Sequence, residues 1–121
     1  MTELRSAVDN AVLGELRESV GDDPEFLAEL VGDFLQDAPI QLESLREAAT
    51  SEDAARAMRA AHTLKGNSRT FGAAELASLC QEAEAAAGLG DLDAVLSRMD
   101  AIDHEWDRVQ AELVALGDGR A

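Results

Sequence analysis

The sequence predicts an all-α fold: an antiparallel up-down four-helix bundle with an additional N-terminal helix packed across it. Three observations point there. The composition favours helix, being rich in Ala and Leu, with no Tyr, one Trp and two Pro in 121 residues. Apolar residues recur at i, i+3, i+4 and i+7 over several long stretches, the spacing of a helix with one buried face. The stretches are joined by short turn-like segments, so consecutive helices must fold back on one another.

A first helix is expected over about 5–20, carrying Val8, Val12, Leu13, Leu16 and Val20 until "GDDP" stops it. Asp23 then supplies an N-cap and Pro24 the first helical position, where a missing N–H costs nothing. The second helix carries Leu27, Leu30, Val31, Phe34, Leu35, Ala38, Leu42 and Leu45. Pro39 falls inside it and predicts a kink, because the same apolar face continues on both sides. Ser51 is expected to cap the third helix, with Glu52 and Asp53 in its first turn, where the helix dipole favours acids. That helix should end near Phe71 or Gly72. A fourth, about 73–87, turns Leu76, Leu79, Cys80, Ala83 and Ala87 inward. In "GLGD", Gly88 is expected to end it and Asp91 to cap the last helix, whose stripe runs from Leu92 through Val95, Leu96, Met99, Ile102, Trp106, Val109 and Leu113 to Leu116. The length suits one domain over 1–121, with its core at about 10–116 and a frayed tail at 117–121. The start at Met1 and the lack of a downstream linker favour a stand-alone protein over an excised domain.

Charge and cysteine content narrow the function. A net charge of −15 argues against nucleic acid and anionic membrane surfaces as partners. No apolar run approaches the length of a membrane span, and "MTELRSAVDN" lacks the apolar core of a signal peptide. The single cysteine, Cys80, cannot close an internal disulfide and sits on an apolar stripe, which suits a packed thiol in a cytoplasmic protein. One Cys and two distant His supply no zinc site, and neither a metal nor a cofactor is expected.

The chemistry concentrates in "AAHTLKGNSRTFGA", residues 60–73. Gly66 sits inside a helix, where glycine costs roughly 1 kcal/mol relative to alanine, four residues after His62. At 100° per residue, Ala61, Leu64 and Ser68 continue the buried stripe, while Arg59, Lys65, Gly66 and Arg69 fall within about 60° of His62. The imidazole therefore lies on the outer or boundary face beside cations, and glycine removes the side chain that would stand over it. From Ala54 to Ala74 there is no acid, but there are Arg56, Arg59, Lys65 and Arg69. These cations read either as a solvated basic face or as an anion site; the histidine and glycine centred among them favour the anion. No triad, P-loop or metalloprotease motif is present. The remaining chemistry is a histidine that is itself the nucleophile and takes a phosphoryl group, with cations stabilising the charge of a loose transition state. His104 lacks the Lys-Gly pair, lies off the apolar stripe and is flanked by Asp103 and Glu105, so it reads as a surface residue.

"HTLKGNSRTFGA" resembles the signature of histidine-containing phosphotransfer (HPt) domains, His-x-Leu-Lys-Gly-x-Ser followed by Gly-Ala. "DDPEFLAELVGDFLQDAP" and "LASLCQEAE" are similar to that family's preceding and following helices, so the resemblance covers roughly 10–115. It implies a two-component phosphorelay intermediate without independent catalytic turnover. His62 would accept a phosphoryl group from a receiver-domain aspartate or a histidine kinase and pass it to a response-regulator receiver aspartate. Lys65 would stabilise the phosphoryl group, Gly66 would keep the approach open, and Ser68 would serve close packing. The family often places Gln or Glu on the next helix against the ring, here Glu84, where a carboxylate accepting Nδ1–H would leave Nε2 as nucleophile. Without that role Glu84 is one of a solvated row with Glu82 and Glu75. The receiver would bring Mg²⁺ and the acidic pocket. A monomer that docks on receiver domains or a hybrid histidine kinase is expected. Two other readings stay open: a binding-only module that docks on a receiver without carrying phosphate, and the phosphoacceptor domain of a larger histidine kinase.

Overall fold

The computed structural model describes residues 6–117 and shows five helices, with no strand among the described residues. They are α1 (Asn10–Ser19), α2 (Pro24–Thr50), α3 (Ala54–Thr70), α4 (Ala74–Gly88) and α5 (Leu92–Gly117). α3 packs on both α2 and α4, and α5 packs on both α4 and α2; α1 touches α2 and α3. Val31, Phe34, Leu42, Leu45, Leu64, Leu76, Val95, Ile102, Trp106, Val109 and Leu113 fill the interior. Phe34 stacks on Phe71 with centroids 4.8 Å apart and meets the Trp106 ring edge-on at 5.3 Å.

Four helices end the same way, and the repetition explains where the chain turns. In each, the N–H two residues past the C-cap reaches a carbonyl of the last turn: Asp22 to Arg17, Asp53 to Ala48, Ala73 to Ser68 and Asp91 to Ala86, at 2.8–2.9 Å. This bonding requires the intervening residue to be left-handed. Gly21, Gly72 and Gly90 fill it at φ 74°, 76° and 77°, whereas α2 uses Glu52 at φ 61°. Two expectations are corrected here. Ser51 is the C-cap of α2, not the cap of α3; Asp53 caps α3, accepting from the Arg56 N–H at 3.1 Å, so Glu52 and Asp53 precede the helix. Gly88 remains helical, and Gly90 supplies the left-handed turn before Asp91 caps α5 through the Ala94 N–H.

The first helix begins at Asn10 rather than near 5, and position 5 itself lies outside the described residues, as do positions 118–121 of the expected frayed tail. Residues 7–9 spend their N–H groups elsewhere. Ala7 and Val8 donate to the two oxygens of Glu112 on α5, at 2.7 and 3.0 Å, and Asp9 donates to the Gly72 carbonyl at 2.9 Å. Val8 is buried by this docking, from outside the helix. α2 runs unbroken through Pro39, which is exposed. Leu96, counted in the α5 stripe, is 38% exposed.

The α3–α4 contact is lined by small side chains: Ala57, Ala60 and Ala61 on α3, and Ala77, Cys80, Ala83, Ala86 and Ala87 on α4 are all buried. Small residues let two helices approach closely. Side chains flanking this seam can therefore meet across it, and the seam runs beside His62.

Candidate functional site

His62 stands on α3, one residue off the buried Ala61, and its side chain is 68% exposed. Across the seam, Glu84 follows the buried Ala83 on α4. Its Oε2 lies 2.9 Å from His62 Nδ1, and its Oε1 lies 2.6 Å from Lys65 Nζ. Lys65 sits one turn from His62, with its side chain 16% exposed. One carboxylate thus links positions 62 and 65 of the facing helix. The Glu84 carboxyl is held below the usual carboxylate range, chiefly by the hydrogen bond from Lys65, with burial opposing and His62 adding to the effect. An ionised carboxylate only accepts hydrogen bonds. Nδ1 is therefore the donor in this contact, and in the neutral ring Nε2 is the nitrogen without a proton.

The remaining cations divide. Arg69 donates to Gln81 Oε1 at 2.8 Å, and Arg56 turns to α2, donating to Ser44 Oγ at 3.1 Å and pairing with Glu47 at 3.6 Å. Arg59 is exposed and makes no hydrogen bond or ion pair among the described residues. A Cβ built on Gly66 meets nothing within 4 Å, so the space beside the ring is open. Ser68 is fully buried, and its hydroxyl has no partner among the described residues, as suits a side chain present for its size.

The structure therefore brings His62, Lys65, Gly66 and Glu84 together, leaves Arg59 beside them and draws Arg69 toward α4. Sequence periodicity placed Lys65 on the outer face but could not show that its ammonium is taken up by Glu84, nor that Gln81 receives Arg69. Both partners lie on another helix, and only the resemblance, which places Gln or Glu there, pointed to Glu84 among the three acids of α4. His104 lies elsewhere, on α5, lining a cavity of about 640 Å³ with Glu75 and the segment around Ala7. Among the described residues no group of three or more His, Cys, Asp or Glu could hold a metal ion, and no helix is long and apolar enough to cross a membrane. Cys80 is buried, which pushes its thiol up to about 12 and leaves it inert.

A helical bundle that displays a histidine on its surface against a carboxylate, with cations and open space beside it, is the architecture of a histidine phosphotransfer module. The chain belongs to the Hpt domain family, whose model matches residues 29–112. It is also similar to a solved structure, the crystal structure of histidine-containing phosphotransfer protein B (HptB) from Pseudomonas aeruginosa PAO1. That match has a TM-score of 0.84 at 29% identity and covers 92% of this chain and 94% of that one. A search of curated proteins gave no significant match. The family and the structural likeness give the class of activity: phosphotransfer in two-component signalling, alongside receiver domains and kinases.

Proposed function

We propose that His62 is the phosphoacceptor of a phosphorelay. Its Nε2 takes a phosphoryl group from a receiver-domain aspartate or a histidine kinase and delivers it to a response-regulator receiver aspartate. The observation that carries this reading is the 2.9 Å contact between Glu84 and Nδ1 on a ring whose side chain is 68% exposed. With Nδ1 held by the carboxylate, Nε2 is the nitrogen this exposed ring has left for a partner. On receipt, the Nε2 lone pair attacks phosphorus and the bond to the donor oxygen breaks, its electron pair staying with that oxygen. Transfer onward reverses these roles. Gly66 leaves room for the incoming domain, and Arg59 offers a cation to the phosphoryl oxygens, with Arg69 about two turns beyond His62. Mg²⁺ comes with the receiver's acidic pocket.

The same reading takes α2–α5 as an antiparallel up-down bundle with α1 across it, in a cytoplasmic, monomeric, single-domain protein. A binding-only module would have no use for a fixed tautomer, which weighs against that alternative. The test is direct. Wild-type protein incubated with a phosphorylated receiver should gain acid-labile, alkali-stable phosphate, and His62→Gln should gain none. Equal labelling of the variant would sink the assignment.

A further inference from the structure

We infer that the cavity between the N-terminal arm (residues 6–9), α4 and α5 is a binding site for a short aliphatic diammonium ion. The buried carboxylate of Glu105 holds one end of that ion and the acids at the rim hold the other. His62 does not line this cavity, so the site is separate from phosphoryl transfer.

Glu105 carries the argument. Its side chain is 6% exposed, and only one of its oxygens is satisfied. Oε1 accepts from Arg108 Nη1 at 2.8 Å, whereas Oε2 is buried without a hydrogen-bond partner among the described residues. Ile102, Glu105 and Val109 share one face of α5, so the helix itself carries this carboxylate inward with the core stripe. A charged oxygen kept from water without a donor is costly, more so than the bare but uncharged hydroxyl of Ser68. Glu105 lines the cavity of about 640 Å³, the size of a small-molecule site, so a donor can come from that side.

The lining decides the class of ligand. Three carboxylates, those of Asp9, Glu75 and Glu105, stand against the one guanidinium of Arg108, and even a protonated His104 would leave the lining net negative. A cation is therefore favoured. The N-terminus of α4 would ordinarily draw an anion, and Ala73 gives it no side-chain cap, but Glu75 already sets a negative charge in its first turn. The acids also sit at two levels, Glu105 buried and Asp9 and Glu75 exposed, with apolar surface from Val8, Leu79 and Ala101 between them. One ammonium would donate to Glu105 Oε2 at the floor. The methylenes would lie on the apolar lining, and the second ammonium would stay at the rim with Asp9 and Glu75.

The wall formed by the arm is already in place. Ala7 and Val8 are tied to Glu112 and Asp9 to Gly72 through their N–H groups, so the ligand pays little to order it.

The full chain would be titrated with 1,4-diaminobutane, butylamine and the neutral isostere 1,4-butanediol, followed by ¹⁵N–¹H NMR at about 150 mM salt to screen surface charge. The diamine should give saturable shifts at the amides of Val8, Leu79, Ala101 and Glu105. Butylamine should bind more weakly and the diol not at all. Glu105→Gln should weaken diamine binding about tenfold, and Glu29→Gln, an exposed acid on α2 outside the cavity, should leave it unchanged. Ala101→Leu, at an exposed lining position, should abolish binding without changing the helical circular dichroism. Diol binding as tight as diamine binding would overturn the inference, as would the absence of saturable shifts at these four amides. Shifts spread over the acidic surface and weakened equally by Glu29→Gln and Glu105→Gln would overturn it in favour of diffuse attraction to a chain of net charge −15. Phosphate uptake by His62 should match wild type in all three variants. A chain that binds the diamine here but takes no phosphate supports this site and refutes the phosphoacceptor reading alone.

Discussion

Gly66 offers the sharpest separation of function from stability. Side chains on a helix lean toward its N-terminus, so a residue at i+4 covers the surface next to residue i. A methyl group at Gly66 would meet nothing within 4 Å, so Gly66→Ala adds no clash. Helix propensity alone then predicts a gain of about 0.5–1 kcal/mol. For 121 residues the unfolding entropy is about 250 cal/mol/K, so Tm should rise by about 2–4 °C. Gly66→Leu should fold equally well but place its side chain beside the imidazole, obstructing an incoming domain. Phosphoryl transfer from a receiver should fall modestly in Gly66→Ala and on the order of a hundredfold in Gly66→Leu, since small displacements from attack geometry cost about that much. Thermal denaturation followed by circular dichroism and a rapid-quench transfer assay measure the two effects. Clearance is refuted if both variants transfer at the wild-type rate. A lower Tm for Gly66→Ala would refute the structural half of the reasoning.

Three further outcomes are expected. Gly72→Ala places a Cβ 2.8 Å from the Asp9 carbonyl oxygen at φ 76° and strains the Asp9-to-Gly72 hydrogen bond. Left-handed strain and the lost bond should together cost about 2–3 kcal/mol, seen as an earlier urea midpoint; a midpoint within error of wild type refutes it. Glu52→Gly relieves a left-handed non-glycine residue at the end of α2 and should stabilise by about 1 kcal/mol in the same assay, where a loss would contradict it. The Glu84 carboxyl titrates lower when folded than when unfolded, because Lys65 and His62 favour its charged form. Its stabilising contribution is therefore complete above the unfolded value of about 4.3 and is lost only as pH falls through the lower folded value. A ¹³C NMR titration of Glu84 should show this low midpoint, and Lys65→Met should raise it; a midpoint at or above the ordinary value refutes the pairing.

Local chemistry decided much of this protein, and local chemistry is legible in sequence. The stripes from Val31 to Leu45 and from Val95 to Leu113, the Asp23–Pro24 start and the Gly72 stop depend on neighbours within a turn or two, so periodicity and capping rules locate them. The same rules put His62 on an open face with Gly66 beside it. Where two local solutions compete, the nearest signal misleads. Ser51 reads as the cap of α3 with Asp53 in its first turn, but the turn geometry set by Glu52 assigns Ser51 to the end of α2 and Asp53 to the start of α3. Residues 6–9 read as helix until Glu112, more than a hundred positions away, claims two of their N–H groups.

The site divides along the same line. The amino-acid order put His62 on an outer face with cations and a glycine beside it, because i+3 and i+4 spacings on one helix leave no freedom. Only the tertiary structure decided what those cations do. The alanine seam between α3 and α4 brings Glu84 across to His62 Nδ1 and Lys65 together, and a charge held by a carboxylate across a helix interface is not free to act as its position in the sequence suggests.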